Sequence, residues 1–303
     1  MRVLFLFSCL LKAQTGVEVE VAANVAFTEG PTAGPGGYVY FTETTFNRIM
    51  RLGPDGKVSV FRENSNGANG IVFDGKESLI VCEGGDGKGG RPRVTRIHIG
   101  TGKVEVLAET VGGTPLNQPN DVTFDGKGRL YFTDFPGPNP VGVYRIDPDG
   151  KVSRILRAPQ IEKPNGIVIS PDDKVLYLVE ANTAEKGARM IRAYDLQADG
   201  TVRNMRVFHN FYPGRSADGL CMDSKGNLYA AAGLHRRRGT SETLDTKCGV
   251  HVFSPAGQLI HFIAIPEDTI TNCAFGGPDM RTLYVTAGKT LFRTRSEVAG
   301  TAR

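Results

Sequence analysis

Six side chains that carry a donor oxygen stand at comparable places along this chain: Glu29, Asn69, Asn120, Asn165, Asp218 and Asn272. Two are carboxylates, four are carboxamides and none is apolar. Oxygens in that number suit a hard cation such as Ca2+, which takes about six to eight of them. No His or Cys belongs to the set, so zinc fits it poorly on ligand softness. Two carboxylates would also neutralise a divalent charge and lower the cost of burying it. Taken singly, an Asn or Asp at such a place equally suits a turn that caps a strand. Glu29 fits that role worst, because Glu is not a turn residue. The set can act together only if the fold converges residues whose spacing runs from 40 to 54 positions.

The sequence supplies that convergence as a repeat. Each of the six heads one phrase: a polar residue, usually followed by Gly, a short apolar strand, a turn and a second apolar strand. "NGIVFDGKESLIVCE" from Asn69, "PNDVTFDGKGRLYFTD" around Asn120 and "NGIVISPDDKVLYLVE" from Asn165 show it plainly. A second phrase follows each of the first five units, a Gly turn leading into an alternating strand, as in "GPDGKVSVF" and "DPDGKVSRI". Asp-Gly and related turns accept the positive φ that a tight hairpin needs. Every unit therefore predicts four antiparallel strands, except the sixth, which lacks its fourth. The alternating segment "VEVEVAA" at residues 17 to 23 has no partner of its own. The economical closure lets this N-terminal strand complete the last blade. The expected fold is an all-β, six-bladed β-propeller of four-stranded blades, a single domain over residues 17–295 with a tail at 296–303. The six leading residues would then ring one mouth of the central channel.

Composition agrees with a turn-rich β protein: 303 residues with 38 Gly, 17 Pro and 8% aromatics. A net charge of +4 is modest, and the densest basic run, Arg236-Arg237-Arg238, is too short to argue for nucleic acid. No apolar run reaches the length of a membrane-spanning helix. Residues 1–14 hold one positive residue, Arg2, ahead of an apolar stretch from Val3 to Leu11, and then Lys12 and Ala13-Gln14. This reads as a secretory signal cut after Ala13, implying a periplasmic or secreted protein, with cytoplasmic residence as the alternative. Cys82, Cys221, Cys248 and Cys273 form no metal-site spacing, and a disulfide among them is left open.

The leading residues also carry a resemblance. "EGP" from Glu29, "PNDVTFDGKGRLYFTD", "PNGIVISPDD" and "ADGLCMDSKGNLY" resemble the signature segments of the gluconolactonase family, in the family's order and across roughly residues 20 to 290. That family includes regucalcin (senescence marker protein) and related lactonases, and more distantly the diisopropyl-fluorophosphatases. The resemblance implies one catalytic divalent cation in the channel, usually Ca2+, with Mn2+ or Zn2+ as substitutes. By position it implies Glu29, Asn165 and Asp218 as ligands. It gives Asn120 either to the metal or to substrate beside it. Asn69 and Asn272 become substrate contacts or neighbours of the ligands. Two departures bear on the substrate: "TDFPGPNP" stands where many bacterial gluconolactonases have Pro-Pro-Tyr-Gly, and Gln118 stands where the regucalcin branch has Arg.

The chemistry that follows is opening of a sugar-derived lactone, with the cation as Lewis acid. Asp218 serves as base, and a metal-bound water is the alternative nucleophile. Ser170, Ser216, Ser224 and Ser254 lack the setting of an activated serine. His235 and Arg91, on loops expected near the mouth, join Gln118 as candidate substrate contacts. The alternatives are an organophosphate or promiscuous ester hydrolase on the same ion, and a binding propeller with a structural Ca2+.

Overall fold

The structure, a computed structural model, describes residues 11–12 and 17–301. The candidate secretory signal over residues 1–14 lies outside the described residues, apart from the backbone of Leu11–Lys12. Six antiparallel sheets follow one another along the chain, and each innermost strand borders the same channel. Blade 1 runs from Thr28–Ala33 outward through Val39–Glu43 and Arg48–Leu52 to Val58–Arg62. The inner strands of blades 2 to 6 are Ala68–Phe73, Pro119–Phe124, Pro164–Ile169, Ala217–Met222 and Ile270–Gly276. The ring closes as the repeat requires. The N-terminal strand Glu18–Asn24 pairs with Thr290–Arg295 and becomes the fourth strand of blade 6, with Val21 opposite Phe292.

Sequence pattern sets the position of each strand within its blade. Second strands such as "VYFTE" and "LYFTD" are buried at every residue, because a neighbouring blade covers each of their faces. Outer strands such as Val58–Arg62 and Leu259–Ala264 expose apolar residues to solvent. The core is split into six apolar clusters, one between each pair of neighbouring blades. Tyr131, Leu178 and Ile167, for example, fill the wedge between blades 3 and 4. Burial between blades fixes the ring, so the channel itself is free to carry polar groups.

Two features lie outside the repeat. Leu11–Lys12 adds a short fifth strand to blade 6, and Thr110–Val111 pairs with Thr114–Pro115 in the segment leading to blade 3. The tail turns back on blade 5, where Gly300 bridges Asp223 and the Thr301 amide donates to the Met222 carbonyl. No α-helix occurs among the described residues, and none of their helices is long and apolar enough to cross a membrane.

Candidate active site and metal centre

All six inner strands break register as they enter the channel. The shifts fall between Glu29 and Thr32, Ala68 and Ile71, Pro119 and Val122, Pro164 and Ile167, Ala217 and Leu220, and Ile270 and Asn272. A bulge frees residues from the ladder and re-aims their side chains. Each of the six leading residues lies within such a break or at its edge.

Glycine follows four of them because the inner backbones nearly touch. A Cβ on Gly70 would lie 2.6 Å from the Asn120 carbonyl oxygen and 2.6 Å from Asp121 Oδ1. Gly30 meets the Asn69 carbonyl, Gly166 the Asp218 carbonyl and Gly219 the Asn272 side chain. The equivalent places in blades 3 and 6 hold Asp121 and Cys273 instead. Asp121 is therefore an extra carboxylate inside the ring. The sequence reading quoted it beside Asn120 but gave it no role. Its departure from the repeated glycine is the signal that could have singled it out.

Three carboxylates share this part of the channel. Glu29 is 7% exposed and its Oε2 accepts the Gly30 amide at 2.9 Å. Burial pushes its pKa well above the usual carboxylate range, and the Asp218 and Asp121 charges push it further. Asp121 rises to about 7, chiefly by burial, although the Ile167 and Val122 amides and the Asn272 carboxamide all donate to it. Asp218 is raised too, because burial outweighs the opposing pull of Arg215, a hydrogen bond from Asn165 and the more distant Arg238. Arg215 is the one guanidinium inside the group: Nη2 donates to Asp218 Oδ2 at 2.6 Å and Nη1 to the Ile270 carbonyl at 2.9 Å. Nothing in the repeat points to Arg215, since its neighbours across the channel come from other blades.

The residues present fit a divalent cation. With all three carboxylates ionised and Arg215 charged, the group carries two net negative charges, which one divalent ion neutralises. The raised pKa of Glu29 expresses the same deficit: buried carboxylates facing one another lack a counter-charge. Asn120, 6% exposed, heads blade 3 and is a further candidate oxygen donor. No cluster of three or more His, Cys, Asp or Glu with metal-holding geometry occurs among the described residues. The candidate donors are instead Glu29 and Asp218 with the carboxamides of Asn120 and Asn165.

The remaining candidates sit around this group. Asn272 reaches Asp121, held by its own Oδ1 accepting the Cys273 amide at 2.8 Å. Asn69 heads blade 2, where its carbonyl accepts the Thr42 hydroxyl. The Gln118 amide donates to Asp134 Oδ1 at 2.6 Å, and its side chain packs beside Gly84. His235 is exposed on the loop after the second strand of blade 5 and tied to the segment between blades 5 and 6, with Nε2–H donating to the Ile265 carbonyl at 2.8 Å. Arg91 is exposed on the loop after the second strand of blade 2, tied down through its carbonyl, which accepts Asn66 Nδ2. Buried acids end the second strands of blades 1 to 4 and secure the segments around them. Glu43 binds Arg48, Glu83 binds Arg62 and Arg93, Asp134 accepts the Asn117 and Gln118 amides, and Glu180 accepts those of Glu162 and Lys163.

A profile described as the SMP-30/Gluconolactonase/LRE-like region matches residues 27–289. The chain belongs to this family. Within it, a gluconolactonase of Zymomonas mobilis is 27% identical over an alignment of 320 positions, covering 96% of this chain and 84% of that protein. The lactonase drp35 of Staphylococcus epidermidis is 30% identical over 217 positions, covering 67% of this chain and 62% of that one. Among solved structures, a gluconolactonase from Xanthomonas campestris superposes with a TM-score of 0.78 at 26% identity, covering 92% of this chain and 90% of that one. A calcium-binding regucalcin from Agrobacterium tumefaciens shares the fold, with a TM-score of 0.74 at 20% identity over 92% of this chain and 93% of that one.

Proposed function

We propose that this family member is a divalent-metal-dependent lactonase of the gluconolactonase kind. Lactone hydrolysis is the activity for which its matched relatives are named, and two of these, gluconolactonases, align over most of both chains. The observation that carries the metal dependence is the buried group of Glu29, Asp121 and Asp218 with a single guanidinium, two charges short of neutrality. An all-oxygen donor set favours Ca2+, with Mn2+ or Zn2+ as replacements. The calcium-binding regucalcin of the same fold agrees with that choice.

Glu29, Asn165 and Asp218 would hold the ion, with Asn120 completing the set or gripping substrate beside it. When bound, the ion supplies Lewis-acid polarisation of the lactone carbonyl. Asp218 takes the proton of the attacking water at its carboxylate. Arg215 fixes the orientation of that carboxylate through Oδ2. Asp121 and Asn272 floor the site and hold each other in place. Gln118, positioned through its amide by Asp134, offers a carboxamide to the sugar hydroxyls.

Proton release from glucono-1,5-lactone and a small lactone panel tests the proposal, corrected for spontaneous opening. Chelation should abolish turnover, and one added ion should restore it. Folded, metal-loaded protein that opens no lactone or ester would overturn the reading.

A further inference from the structure

Two thiols meet in the half of the channel beyond Asp121 and Asn272. Cys221 lies on the inner strand of blade 5 and Cys273 on that of blade 6. Their sulfurs are 3.1 Å apart, only about an ångström more than the ~2.05 Å of a disulfide bond. Cys273 occupies the place that holds glycine in four other blades, so its side chain alone enters the seam there from blade 6. Both thiols line a cavity of about 770 Å3 that also touches Ile71, Val122, Ile167 and Phe275. Cys221 is half-buried, whereas Cys273 is 2% exposed. The other described thiols have no such partner: Cys248 faces the Glu267 carbonyl, and Cys82 is buried between blades 2 and 3.

We propose that Cys221 and Cys273 are a redox-active pair that closes to a disulfide on exposure to a hydroperoxide, covalently joining the inner strands of blades 5 and 6. The half-buried Cys221 reacts first. Its sulfur attacks a peroxide oxygen, the O–O bond breaks, and with hydrogen peroxide one water leaves and a sulfenic acid forms. The Cys273 sulfur then displaces the hydroxyl from the Cys221 sulfur. The S–S bond forms, the S–O bond breaks, and a second water carries away the last proton. Two thiols are oxidised by two electrons and one peroxide is reduced. Burial raises the Cys221 thiol well above its usual pKa, with Cys273 beside it adding to the effect, so Cys221 must lose its proton as it attacks and the oxidation is slow. The staple would sit one residue from Asn272, whose Oδ1 accepts the Cys273 amide.

The pairing stands whether or not the chain hydrolyses a lactone, and its test reads mass rather than turnover. Native protein is treated with hydrogen peroxide, then denatured, alkylated and digested. The expected result is a loss of two hydrogens in intact mass and one linked peptide pair containing Cys221 and Cys273. Cys82 and Cys248 should stay alkylated. Cys221→Ser and Cys273→Ser should each abolish the linked pair. Peroxide-treated wild-type protein in which both residues remain alkylated, or in which each is separately over-oxidised without a link, would overturn the proposal.

Discussion

Arg215 and Asp218, three residues apart, form a buried ion pair in which Nη2 lies 2.6 Å from Oδ2. The pair supplies the positive charge in a group with three carboxylates. Breaking one side of a fully buried pair leaves the other charge uncompensated, a loss on the order of 3–5 kcal/mol that is smaller here because Asp218 is partly exposed. A bound divalent ion would offset part of that loss. Arg215→Met should therefore lower thermal stability more in chelated protein than in metal-loaded protein, measured as Tm with and without chelator. Equal losses in both states would place Arg215 outside the metal's influence.

The candidate ligands should divide sharply in their effect on turnover. Glu29→Gln and Asp218→Asn keep size while removing charge, and each should cost at least about a hundredfold in kcat. Asn69→Ala should cost less than about tenfold, because Asn69 lies outside the carboxylate group. Circular dichroism would show that the β-fold persists in all three. Full activity in Glu29→Gln would remove the proposed site.

Close approach at the glycine ring makes a prediction for a residue with no side chain. Gly166→Ala drives a methyl group against the Asp218 carbonyl. Overpacking of that kind costs about 1–3 kcal/mol, and here it displaces a candidate ligand. Stability and metal affinity should fall together, as seen by calorimetry. Unchanged metal affinity would show that the backbone at Asp218 tolerates the shift.

Histidine burial sets an acid limit to stability. Burial holds His251 below its ordinary value near 6.5, and the neighbouring His209 and Lys247 charges press it lower, against one hydrogen bond to the Lys247 carbonyl. His209 is lowered as well, by burial among aromatic rings including Phe211 and Phe253. The unfolded chain binds these protons more readily than the native one, so the contribution of the two histidines to stability rises with pH in this range. The contribution is complete above about 6.5 and is lost as pH falls through the depressed native values. Asp121, raised to about 7, and Asp134, raised to about 6, act in the opposite sense, so the histidine contribution is read as a difference. From pH 7.5 to 5 the denaturant midpoint of His251→Gln should rise relative to that of the wild type. An unchanging difference between the two would assign the acid sensitivity to other groups.

Much of the architecture was legible because it is local. Turns such as Asp149-Gly150 and alternating outer strands such as Val58–Arg62 specify hairpins within a few residues. The unpaired "VEVEVAA" segment pointed to the closing strand that Glu18–Asn24 forms. The site was legible only as far as the repeat reached. Equivalent positions gave the ring of six, and the family resemblance alone singled out Glu29, Asn165 and Asp218 as proposed ligands, while the register breaks around them leave no mark on the apolar pattern. The Arg215 bond to the Ile270 carbonyl and the Asp121–Asn272 contact arise between blades, from residues whose sequence separation carries no local signal. The acids Glu43, Glu83, Asp134 and Glu180 repeat at strand ends and could have been read, as could Arg48 and Arg93, which stand directly opposite Glu43 and Glu83 in blades 1 and 2, whereas the loop amides that hold Asp134 and Glu180 carry no side-chain signal.

Calcium titration of chelated protein tests the central claim most directly, with bound ion and lactone turnover followed in the same sample. The account predicts that turnover rises from background in proportion to a single bound ion, and that Glu29→Gln neither binds that ion tightly nor turns over. Full turnover before any ion is added, or undiminished binding by Glu29→Gln, would contradict it.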